Sequence, residues 1–261
     1  MTTTTRELNL DGVPVTITEQ GEGQPVLLLH GGGGPQSVGA FGAVLTASHP
    51  ARVITPVHPG FGGTPRPDSL ATVAGLAAVY AELLAELDLR DVIVIGNSVG
   101  GWIAAELALL AGDRIASLVL ADACGIVVAG HPVTDIFPLA PEELSRLSFY
   151  DPEAFRIDPA AMPEAQRRIM AGNRETLRAY GGQSMADPSL RARLSNISSR
   201  TLVVWGEADQ IVDPDYGRNF AEAIPGATFV LISRAGHLPQ LETPDQLARA
   251  VWDFAGASAV G

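Results

Sequence analysis

Ten consecutive residues, Val92 to Gly101, read V-I-V-I-G-N-S-V-G-G and limit the possible folds more than any other stretch of the chain. Four β-branched residues in a row predict a buried strand that is covered on both faces, and the following residues predict a helix. A strand that turns at once into a helix forces Ser98 into a strained conformation, and a side chain at Gly96 or Gly100 would collide with neighbouring backbone. Ser98 is therefore expected at the carboxyl end of a central strand, beside the free N–H groups of a helix N-terminus.

The rest of the sheet is predicted from short apolar runs that alternate with helical stretches. An Asp11-Gly12 turn joins the alternating segments Glu7–Leu10 and Val13–Thr18 and predicts a hairpin. Beyond the hairpin, strands that alternate with helices imply an α/β fold, with a mostly parallel, eight-stranded sheet and helices on both faces. The further predicted strands are Val26–Leu29, Arg52–Thr55, Val92–Ile95, Ile115–Ala121, Thr201–Trp205 and Thr228–Ile232, and the predicted helices are Val38–Ala47, Leu70–Leu89, Trp102–Leu110, Asp215–Ala223 and Thr243–Phe254.

The alternation stops after Gly125. Residues 126–196 contain no predicted buried strand, and proline recurs through them, several times at the start of a helical piece. The predicted helical pieces are Pro141–Leu147, Pro163–Tyr180 and Pro188–Leu194. We interpret this segment as a helical cap inserted after the sixth strand, with a core built from residues 1–125 and 197–261.

Composition limits the kinds of molecule and surface that the protein is expected to bind. The 261 residues are 46% hydrophobic, enough for a large core, and no apolar run reaches the ~18 residues of a membrane span. A formal net charge of −12 argues against nucleic acid or an anionic membrane surface as a partner, because both need clustered Lys and Arg. The polar first residues lack the apolar core of a secretory signal, and a single cysteine, Cys124, excludes an internal disulfide. We expect a cytoplasmic protein that acts on a small molecule, and no feature predicts its oligomeric state.

Two residues beyond later strands have the chemistry that the serine needs. A serine hydroxyl is a weak nucleophile that requires a base, and the base is oriented by a carboxylate. Functional groups of parallel sheets gather at the carboxyl ends of the strands. Asp209 lies four residues beyond the end of a predicted strand, and His237 follows the last strand in a glycine-containing loop. The order Ser98, Asp209, His237 is the one expected for a nucleophile at a strand–turn–helix elbow.

Other acids and histidines compete for these roles. Asp122, at the end of the strand that precedes residues 126–196, is the serious alternative acid, and we favour Asp209 because of its motif spacing. A structural role or exposure to solvent is the expected explanation for the remaining candidates, which are Glu207, Asp213, Asp215, His30, His49, His58 and His131.

Four motifs together resemble the α/β-hydrolase family over nearly the whole chain. They are H-G-G-G at 30–33, G-N-S-V-G at 96–100, W-G-E-A-D-Q-I-V-D-P at 205–214, and A-G-H at 235–237 with L-E-T-P behind it. The resemblance implies that Ser98 attacks the substrate, that His237 is the base and that Asp209 holds the histidine. It also implies an oxyanion hole formed by the backbone N–H groups of Val99 and Gly32, with Gly33 as an alternative donor.

Residues beside these groups are candidates for contact with the substrate, and they are Gly33, Asn97, Trp102 and Leu238. No cluster of His and Cys has the spacing of a metal site, and no cofactor motif is present, so we expect neither. The glycine run after the third strand lacks the Lys-Ser/Thr ending of a phosphate loop. Cys124 is expected to be a buried, unreactive thiol.

The resemblance also ranks the reactions. Epoxide hydrolases and haloalkane dehalogenases of this fold place Asp at the elbow, so Ser98 argues against both. Carbon–carbon bond hydrolases of aromatic degradation share three of the motifs, but they usually carry Trp where this chain has Leu238. Their substrate-binding arginine should lie in or near the cap, where Arg174 and Arg178 are candidates. We predict a carboxylic-ester hydrolase first, a carbon–carbon hydrolase of a vinylogous diketone second, and a ligand receptor of the same fold with little turnover third.

The predicted cap is rich in apolar and thioether side chains. Most of them must pack the helices of the cap, and the remainder would line an adaptable apolar pocket above Ser98. Together with the acidity of the chain, this predicts a small-to-medium, largely apolar acyl ester as substrate. The side chains concerned are Ile136, Phe137, Leu139, Phe149, Tyr150, Phe155, Met162, Met170 and Met185.

Overall fold

One sheet organises the protein. The computed structural model describes residues 3–155 and 161–256, and its eight strands lie in the order β1-β2-β4-β3-β5-β6-β7-β8. The second strand, β2, pairs antiparallel with β1 and β4, and all other neighbours pair in parallel, so the predicted mostly parallel sheet is confirmed. The strands are β1 Thr3–Leu10, β2 Val13–Gln20, β3 Gln24–Leu29, β4 Ala51–Pro56, β5 Val92–Asn97, β6 Ile115–Ala121, β7 Arg200–Gly206 and β8 Thr228–Ile232.

Helices cover both faces of this sheet. The described helices are α1 Gly39–Ser48, α2 Val73–Glu86, α3 Val99–Ala111, α4 Pro141–Ser148, α5 Glu164–Gly181, α6 Leu190–Arg193, α7 Pro214–Glu222, α8 Pro239–Glu242 and α9 Pro244–Gly256. Val92 and Val94 of β5 belong to the core cluster that includes residues of α2, α3 and α7, whereas Ile93 and Ile95 belong to the cluster that includes residues of α1 and α9. The unbroken apolar run of β5 is therefore explained by burial on both sides. None of the described helices has the length and apolarity needed to cross a membrane.

Helix boundaries differ from the prediction where capping decides them. Helix α2 begins at Val73 rather than at Leu70, because the Thr72 side chain accepts a hydrogen bond from the Gly75 N–H and caps the helix. Helix α3 begins directly after Ser98, three residues earlier than the apolar pattern indicates. The short helix α8, which no apolar periodicity signals, starts at Pro239.

The segment between β6 and β7 contains helices α4, α5 and α6. Helix α5 contacts the two glycine-rich loops that follow β3 and β4 through one row of side chains. Asn173 accepts from the Gly62 N–H at 2.8 Å and donates to the Gly33 carbonyl oxygen at 3.3 Å. Tyr180, two turns later, donates to the Pro59 carbonyl oxygen at 2.9 Å. The contacts place α5 against the loops at the carboxyl ends of the strands, while the division into core and cap at residues 126 and 196 stays a prediction.

Glycine at position 100 allows α3 to lie directly on the neighbouring strand. A Cβ at Gly100 would lie 2.4 Å from the Leu29 carbonyl oxygen and 2.6 Å from that of His30. We expect Gly100→Ala to lower the free energy of unfolding by at least about 2 kcal/mol, because backbone atoms must move to admit the methyl group. Urea denaturation measures the change.

Gly172, in the interior of α5, is the matched control. Nothing lies within 4 Å of the position that its Cβ would take. Gly172→Ala should therefore raise the free energy of unfolding by about 0.5–1 kcal/mol, since alanine is the better helix former. Equal effects of the two substitutions would contradict the packing described for α3.

Candidate active site

Ser98 lies at the tight turn from β5 to α3. Its φ of 57° and ψ of −121° fall in a region that residues other than glycine rarely adopt, so the predicted strain is present. The turn needs glycine before it as well as after it, because a Cβ on Gly96 would lie 2.1 Å from the Gly100 carbonyl oxygen. The close packing on both sides fixes the half-buried Ser98 at the carboxyl end of the central strand.

The glycine run after β3 lies directly against this turn. A Cβ on Gly31 would lie 3.2 Å from the Ser98 Cβ. Val99 is the first residue of α3, so its N–H has no acceptor within the helix. Among the residues that the structure describes, the Gly32 N–H has no hydrogen-bond acceptor either. Two unpaired donors therefore lie on the two segments that meet at Ser98, which is the chemical requirement of an oxyanion hole.

Two buried histidines hold the glycine run in place. The His58 N–H donates to His30 Nε2 at 3.1 Å, so the His30 proton lies on Nδ1 and is donated to the Gly31 carbonyl oxygen at 2.8 Å. His58 Nε2 donates to the His30 carbonyl oxygen at 2.9 Å, and its Nδ1 accepts from the Tyr80 hydroxyl. The hydrogen bonds thus require a neutral ring for His30 and are satisfied by a neutral ring for His58. Burial lowers the pKa of His30 to about 4 and holds the pKa of His58 well below its usual value.

Asp209 and His237 form the central polar contact. Asp209 Oδ2 lies 2.8 Å from His237 Nδ1, and both side chains are almost fully buried. The other carboxylate oxygen accepts from the Ile211 N–H at 2.8 Å and from the Val212 N–H at 3.1 Å. Two N–H donors on Oδ1 stabilise the ionised form of the Asp209 carboxylate, so the proton between the two residues is assigned to His237 Nδ1. Nε2 then keeps its lone pair and is the nitrogen able to accept a proton.

The loop that carries His237 is held from two directions. Its N–H donates to the Ser148 carbonyl oxygen at 2.7 Å, and its carbonyl oxygen accepts from Asn97 Nδ2 at 3.0 Å. Asn97 Oδ1 accepts in turn from Gln240 Nε2 at 3.1 Å. Asn97, expected to contact the substrate, is 4% exposed and has both ends of its amide bonded to protein. Its structural contacts are those of a residue that orients the histidine loop.

Glu242 supports the same loop and was not singled out from the sequence. One of its oxygens accepts from the Gly236 N–H at 2.6 Å. The other accepts from the N–H groups of Tyr150 at 2.8 Å and Asp151 at 3.2 Å, just beyond α4. The L-E-T-P motif is the sequence signal for this residue, but it does not indicate the partners.

Asp122, the alternative acid, is fully buried at the end of β6. Its Oδ1 accepts from the Gly206 N–H at 2.8 Å, while its Oδ2 has no hydrogen-bond partner among the described residues. Burial first, and then the charge of Asp209, raises the pKa of Asp122 well above its usual value. The carboxylate that is hydrogen-bonded to His237 is that of Asp209.

The remaining candidate acids and histidines have partners elsewhere. Their contacts are His49 stacked on Trp252 at 4.6 Å between ring centroids, His131 paired with Asp213 at 2.8 Å, Asp215 paired with Arg218 at 3.5 Å, and Glu207 accepting from the Arg234 N–H at 2.7 Å. Asp213 also caps α7. None of these contacts involves Ser98 or His237.

The other predicted substrate contacts differ in exposure. Gly33 is exposed and Leu238 is half-buried, whereas Trp102 is 5% exposed, with its ring against the Gly125 backbone. Sequence reasoning missed Leu177, which is the side chain nearest to Gly32: a Cβ there would lie 2.7 Å from Leu177 Cδ2. The i, i+4 spacing of Asn173 and Leu177 on α5 was the available signal.

The two arginines considered as carboxylate ligands have protein partners. Arg174 Nη2 donates to the carbonyl oxygens of Ile136, Phe137 and Leu139 at 2.5, 2.9 and 3.1 Å. The guanidinium of Arg178 lies 4.4 Å from the centroid of the Phe137 ring. Both side chains therefore stabilise the segment that precedes α4.

Asp122, Asp209 and His237 are the one group of three possible metal ligands found in residues 3–155 and 161–256. Two of the three are already bonded to each other, and both Asp209 oxygens accept hydrogen bonds from protein, so the donor set is that of an acid–base pair. Cys124 is buried, and burial raises the pKa of its thiol to about 12, in agreement with an unreactive cysteine.

We expect His30 and His58 to lower the free energy of unfolding as the pH is lowered from 6.5 to 5. His30 and His58 stay neutral in the folded protein but are protonated in the unfolded chain, so stability is lost progressively from the pKa of free histidine down to the lowered pKa of the folded state. Each histidine contributes a slope of up to about 1.4 kcal/mol per pH unit. Urea denaturation at several pH values measures the slope. His58→Gln should reduce this slope, whereas the control His49→Asn, at an exposed position, should leave it unchanged. An unreduced slope in His58→Gln would contradict the hydrogen-bond network of the two buried histidines.

Comparisons with known proteins agree with this architecture. The model of the Alpha/beta hydrolase family matches residues 26–250. Relatives include the 2-hydroxy-6-oxo-6-(2'-aminophenyl)hexa-2,4-dienoic acid hydrolase of Metapseudomonas resinovorans, 29% identical over 267 residues, 95% of this chain and 90% of that protein. Lipase 1 of Psychrobacter immobilis is 28% identical over 241 residues, 87% of this chain and 75% of that protein. A solved serine hydrolase involved in carbazole degradation has a TM-score of 0.78 and 25% identity, and the match covers 98% of this chain and 100% of that one. With a family model that spans most of its length and relatives that are hydrolases, the chain belongs to the alpha/beta hydrolase family.

Proposed function

We propose that the protein is a serine hydrolase that cleaves a small-to-medium, largely apolar carboxylic ester through an acyl-enzyme on Ser98. The observation that carries this proposal is the convergence of three strand ends. Ser98 follows β5 in a strained turn, Asp209 follows β7, and His237 follows β8 with its Nδ1 2.8 Å from the Asp209 carboxylate. This combination of nucleophile, base and orienting acid is the one that acyl transfer requires.

In the acylation step, Ser98 Oγ attacks the ester carbonyl carbon and its proton passes to His237 Nε2. The tetrahedral intermediate then collapses, the C–O bond to the alcohol breaks, and the alcohol leaves with the proton from His237. Asp209 stabilises the imidazolium that forms in between. In the second half, His237 takes a proton from water and the resulting hydroxide attacks the carbonyl carbon of the acyl-enzyme. The bond between that carbon and Ser98 Oγ then breaks, Oγ takes the proton from His237 Nε2, and the acid is released.

The negative oxygen of each tetrahedral intermediate would be bound by the N–H groups of Val99 and Gly32. Both donors are unpaired among the described residues, and the segments that carry them meet at Ser98. Donors that are already oriented stabilise the developing charge by about 3–4 kcal/mol each without reorganising during the reaction. The neutral pair of His30 and His58, which is bonded to the Gly31 carbonyl oxygen, would keep the Gly32 donor in position.

An uncharged acyl group is supported by the contacts of the inserted segment. Leu177 is the side chain that covers Gly32, and it offers an apolar contact to a group bound there. Arg174 and Arg178, the two arginines considered for a substrate carboxylate, are engaged with backbone carbonyls and with the Phe137 ring. In this proposal residues 126–196 act as the cap that determines the acyl group.

Hydrolysis of a carbon–carbon bond is the second candidate. The observation in its favour is the 29% identity, over 95% of this chain, to a hydrolase named for a hexadienoic acid substrate. The same serine, histidine and oxyanion donors would serve that reaction, because it also releases an acid from a carbonyl compound. The two reactions therefore differ in the substrate pocket and are separated by testing substrates.

Replacing the proposed nucleophile should abolish turnover. We expect Ser98→Ala to lower kcat for p-nitrophenyl esters by at least about 10⁴ and to prevent labelling by a fluorophosphonate, because the attacking oxygen is absent. The matched control Ser195→Ala, at an exposed position, should label and turn over like the wild type. A wild-type protein that binds ligands but does not react with the fluorophosphonate would contradict the proposal and favour the receptor alternative.

A matched pair of esters tests the acyl preference. We expect kcat/KM for p-nitrophenyl pentanoate to exceed that for the mono-p-nitrophenyl ester of glutaric acid at least about tenfold, because an unpaired carboxylate is unfavourable in an apolar pocket. Kinetics at one pH with both compounds measure the ratio. A clear preference for the carboxylated ester, together with turnover of a vinylogous 1,5-diketone, would make the carbon–carbon hydrolase the better assignment.

A further inference from the structure

We propose that Asp122 is a neutral carboxylic acid that donates a hydrogen bond to the Asp209 carboxylate and thereby positions the Asp209–His237 pair. The proposal rests on the function proposed above, because it adds a positioning residue to the same site. It also gives the alternative acid of the sequence a distinct role, since Asp122 acts through Asp209 and not on the substrate.

The first argument is that one carboxyl oxygen of Asp122 has no hydrogen-bond partner among the described residues. The residue has no solvent exposure, and its backbone φ of 48° holds it at the end of β6 in a conformation that favours glycine. Its N–H donates to the Val204 carbonyl oxygen at 3.0 Å, and its Oδ1 accepts from the Gly206 N–H at 2.8 Å. Its Oδ2 has no donor among the described residues. A buried carboxylate oxygen without a donor is unstable, whereas a protonated Oδ2 becomes a donor itself.

The second argument is that the neighbouring carboxyl groups of Asp122 and Asp209 accept different numbers of hydrogen bonds. Ligand atoms of Asp122, Asp209 and His237 all lie within 4.8 Å of one another. Asp209 receives three hydrogen bonds, from two backbone N–H groups and from His237 Nδ1. Asp122 receives one. Two buried carboxylates this close do not both ionise, so the charge stays on Asp209 and the proton stays on Asp122.

The surrounding groups favour the same distribution. Asp209 and His237 approach Asp122 from the loops after β7 and β8, and Glu242 adds a second negative charge from α8. The Cys124 thiol, two residues beyond Asp122, is neutral because burial raises its pKa. Burial and the two neighbouring carboxylates all raise the pKa of Asp122, and the Gly206 N–H opposes them. These influences together favour the protonated form of Asp122.

A donor at this point fixes the direction of the Asp209 carboxylate. The backbone N–H groups of Ile211 and Val212 hold one oxygen, and the proton of Asp122 approaches from the side of β6. The His237 ring is then aligned by a carboxylate that cannot rotate. An ionised Asp122 would instead repel Asp209 and draw the His237 proton toward a second negative charge.

Three substitutions separate a neutral donor from an ionised acid. The amide of Asp122→Asn can donate to Asp209 and accept from Gly206, so we expect kcat for a p-nitrophenyl ester to fall less than about tenfold. Asp122→Ala removes the donor and should lower kcat about 10- to 100-fold. Asp209→Asn should lower it about 10³- to 10⁴-fold. A loss in Asp122→Asn as large as that in Asp209→Asn, or equal kcat values in Asp122→Asn and Asp122→Ala, would overturn the proposal.

Infrared spectroscopy tests the proton itself and does not depend on turnover or on folding of the alanine variant. A protonated carboxyl group has a carbonyl stretch that an ionised carboxylate lacks. We expect this band in the wild type at pH 7, its loss in Asp122→Asn, and its retention in Asp135→Asn, where a half-buried carboxyl group has a lowered pKa. A wild type without the band, or an Asp122→Asn variant that retains it, would show that Asp122 is not the neutral acid.

The outcomes also distinguish failure of this inference from failure of the proposed function. If the wild type does not react with a fluorophosphonate, the serine hydrolase proposal fails, while the infrared band still reports on Asp122. If Ser98 behaves as expected but Asp122→Asn resembles Asp209→Asn, the hydrolase proposal stands and the positioning role is wrong.

Discussion

The close backbone contact at the start of α3, where Gly96 and Gly100 have no side chains, determines where Ser98 lies. Backbone atoms of Gly96 and Gly100 approach so closely that a methyl group on either would overlap a carbonyl oxygen. This approach leaves a single residue, Ser98, to change direction from strand to helix. The strained backbone conformation of Ser98 persists because packing on both faces of β5 leaves the turn no other conformation. Ser98 is consequently fixed by the core of the fold, and a flexible loop has no part in its position.

The polar groups around Ser98 are held mainly by backbone donors and acceptors. Asp209 is bound by two N–H groups of its own loop, and His237 by the Ser148 carbonyl oxygen and by Asn97. The glycine run is bonded to His30, whose ring is bonded in turn to the backbone of His58. Backbone groups change position less than long side chains do, so the geometry is largely formed before any substrate arrives. Such preorganisation is the property on which electrostatic stabilisation of an intermediate depends.

The sequence predicts those features that depend on local pattern. Strands β3 to β8 follow from apolar runs, and the hairpin of β1 and β2 follows from alternating residues around Asp11-Gly12. The positions of Ser98, Asp209 and His237 follow from the rule that parallel strands end at one edge of the sheet. Long-range contacts were not predictable. Arg174 donates to three carbonyl oxygens at least 35 residues away, and Glu242 accepts from the N–H groups of Tyr150 and Asp151, more than 90 residues away. No periodicity in the sequence indicates such partners. The burial of Asp122 likewise depends on how β6 and β7 lie beside each other.

The hydrogen bonds around Glu242 distinguish the two parts of residues 126–196 that lie near the site. The part near α4 is joined to its neighbours through backbone groups, and α5 is joined through side chains. Two hydrogen bonds join residues 147–151 to the loops of Asp209 and His237, from Gln210 to Leu147 and from His237 to Ser148. Two more join Tyr150 and Asp151 to Glu242 at the end of α8. On the opposite side, α5 contacts the glycine loops through the side chains of Asn173, Thr176 and Tyr180. Displacement of α4 would therefore also displace the loop that carries His237, because the two are joined by hydrogen bonds. Single substitutions on α5 therefore leave the hydrogen bonds of the histidine loop in place.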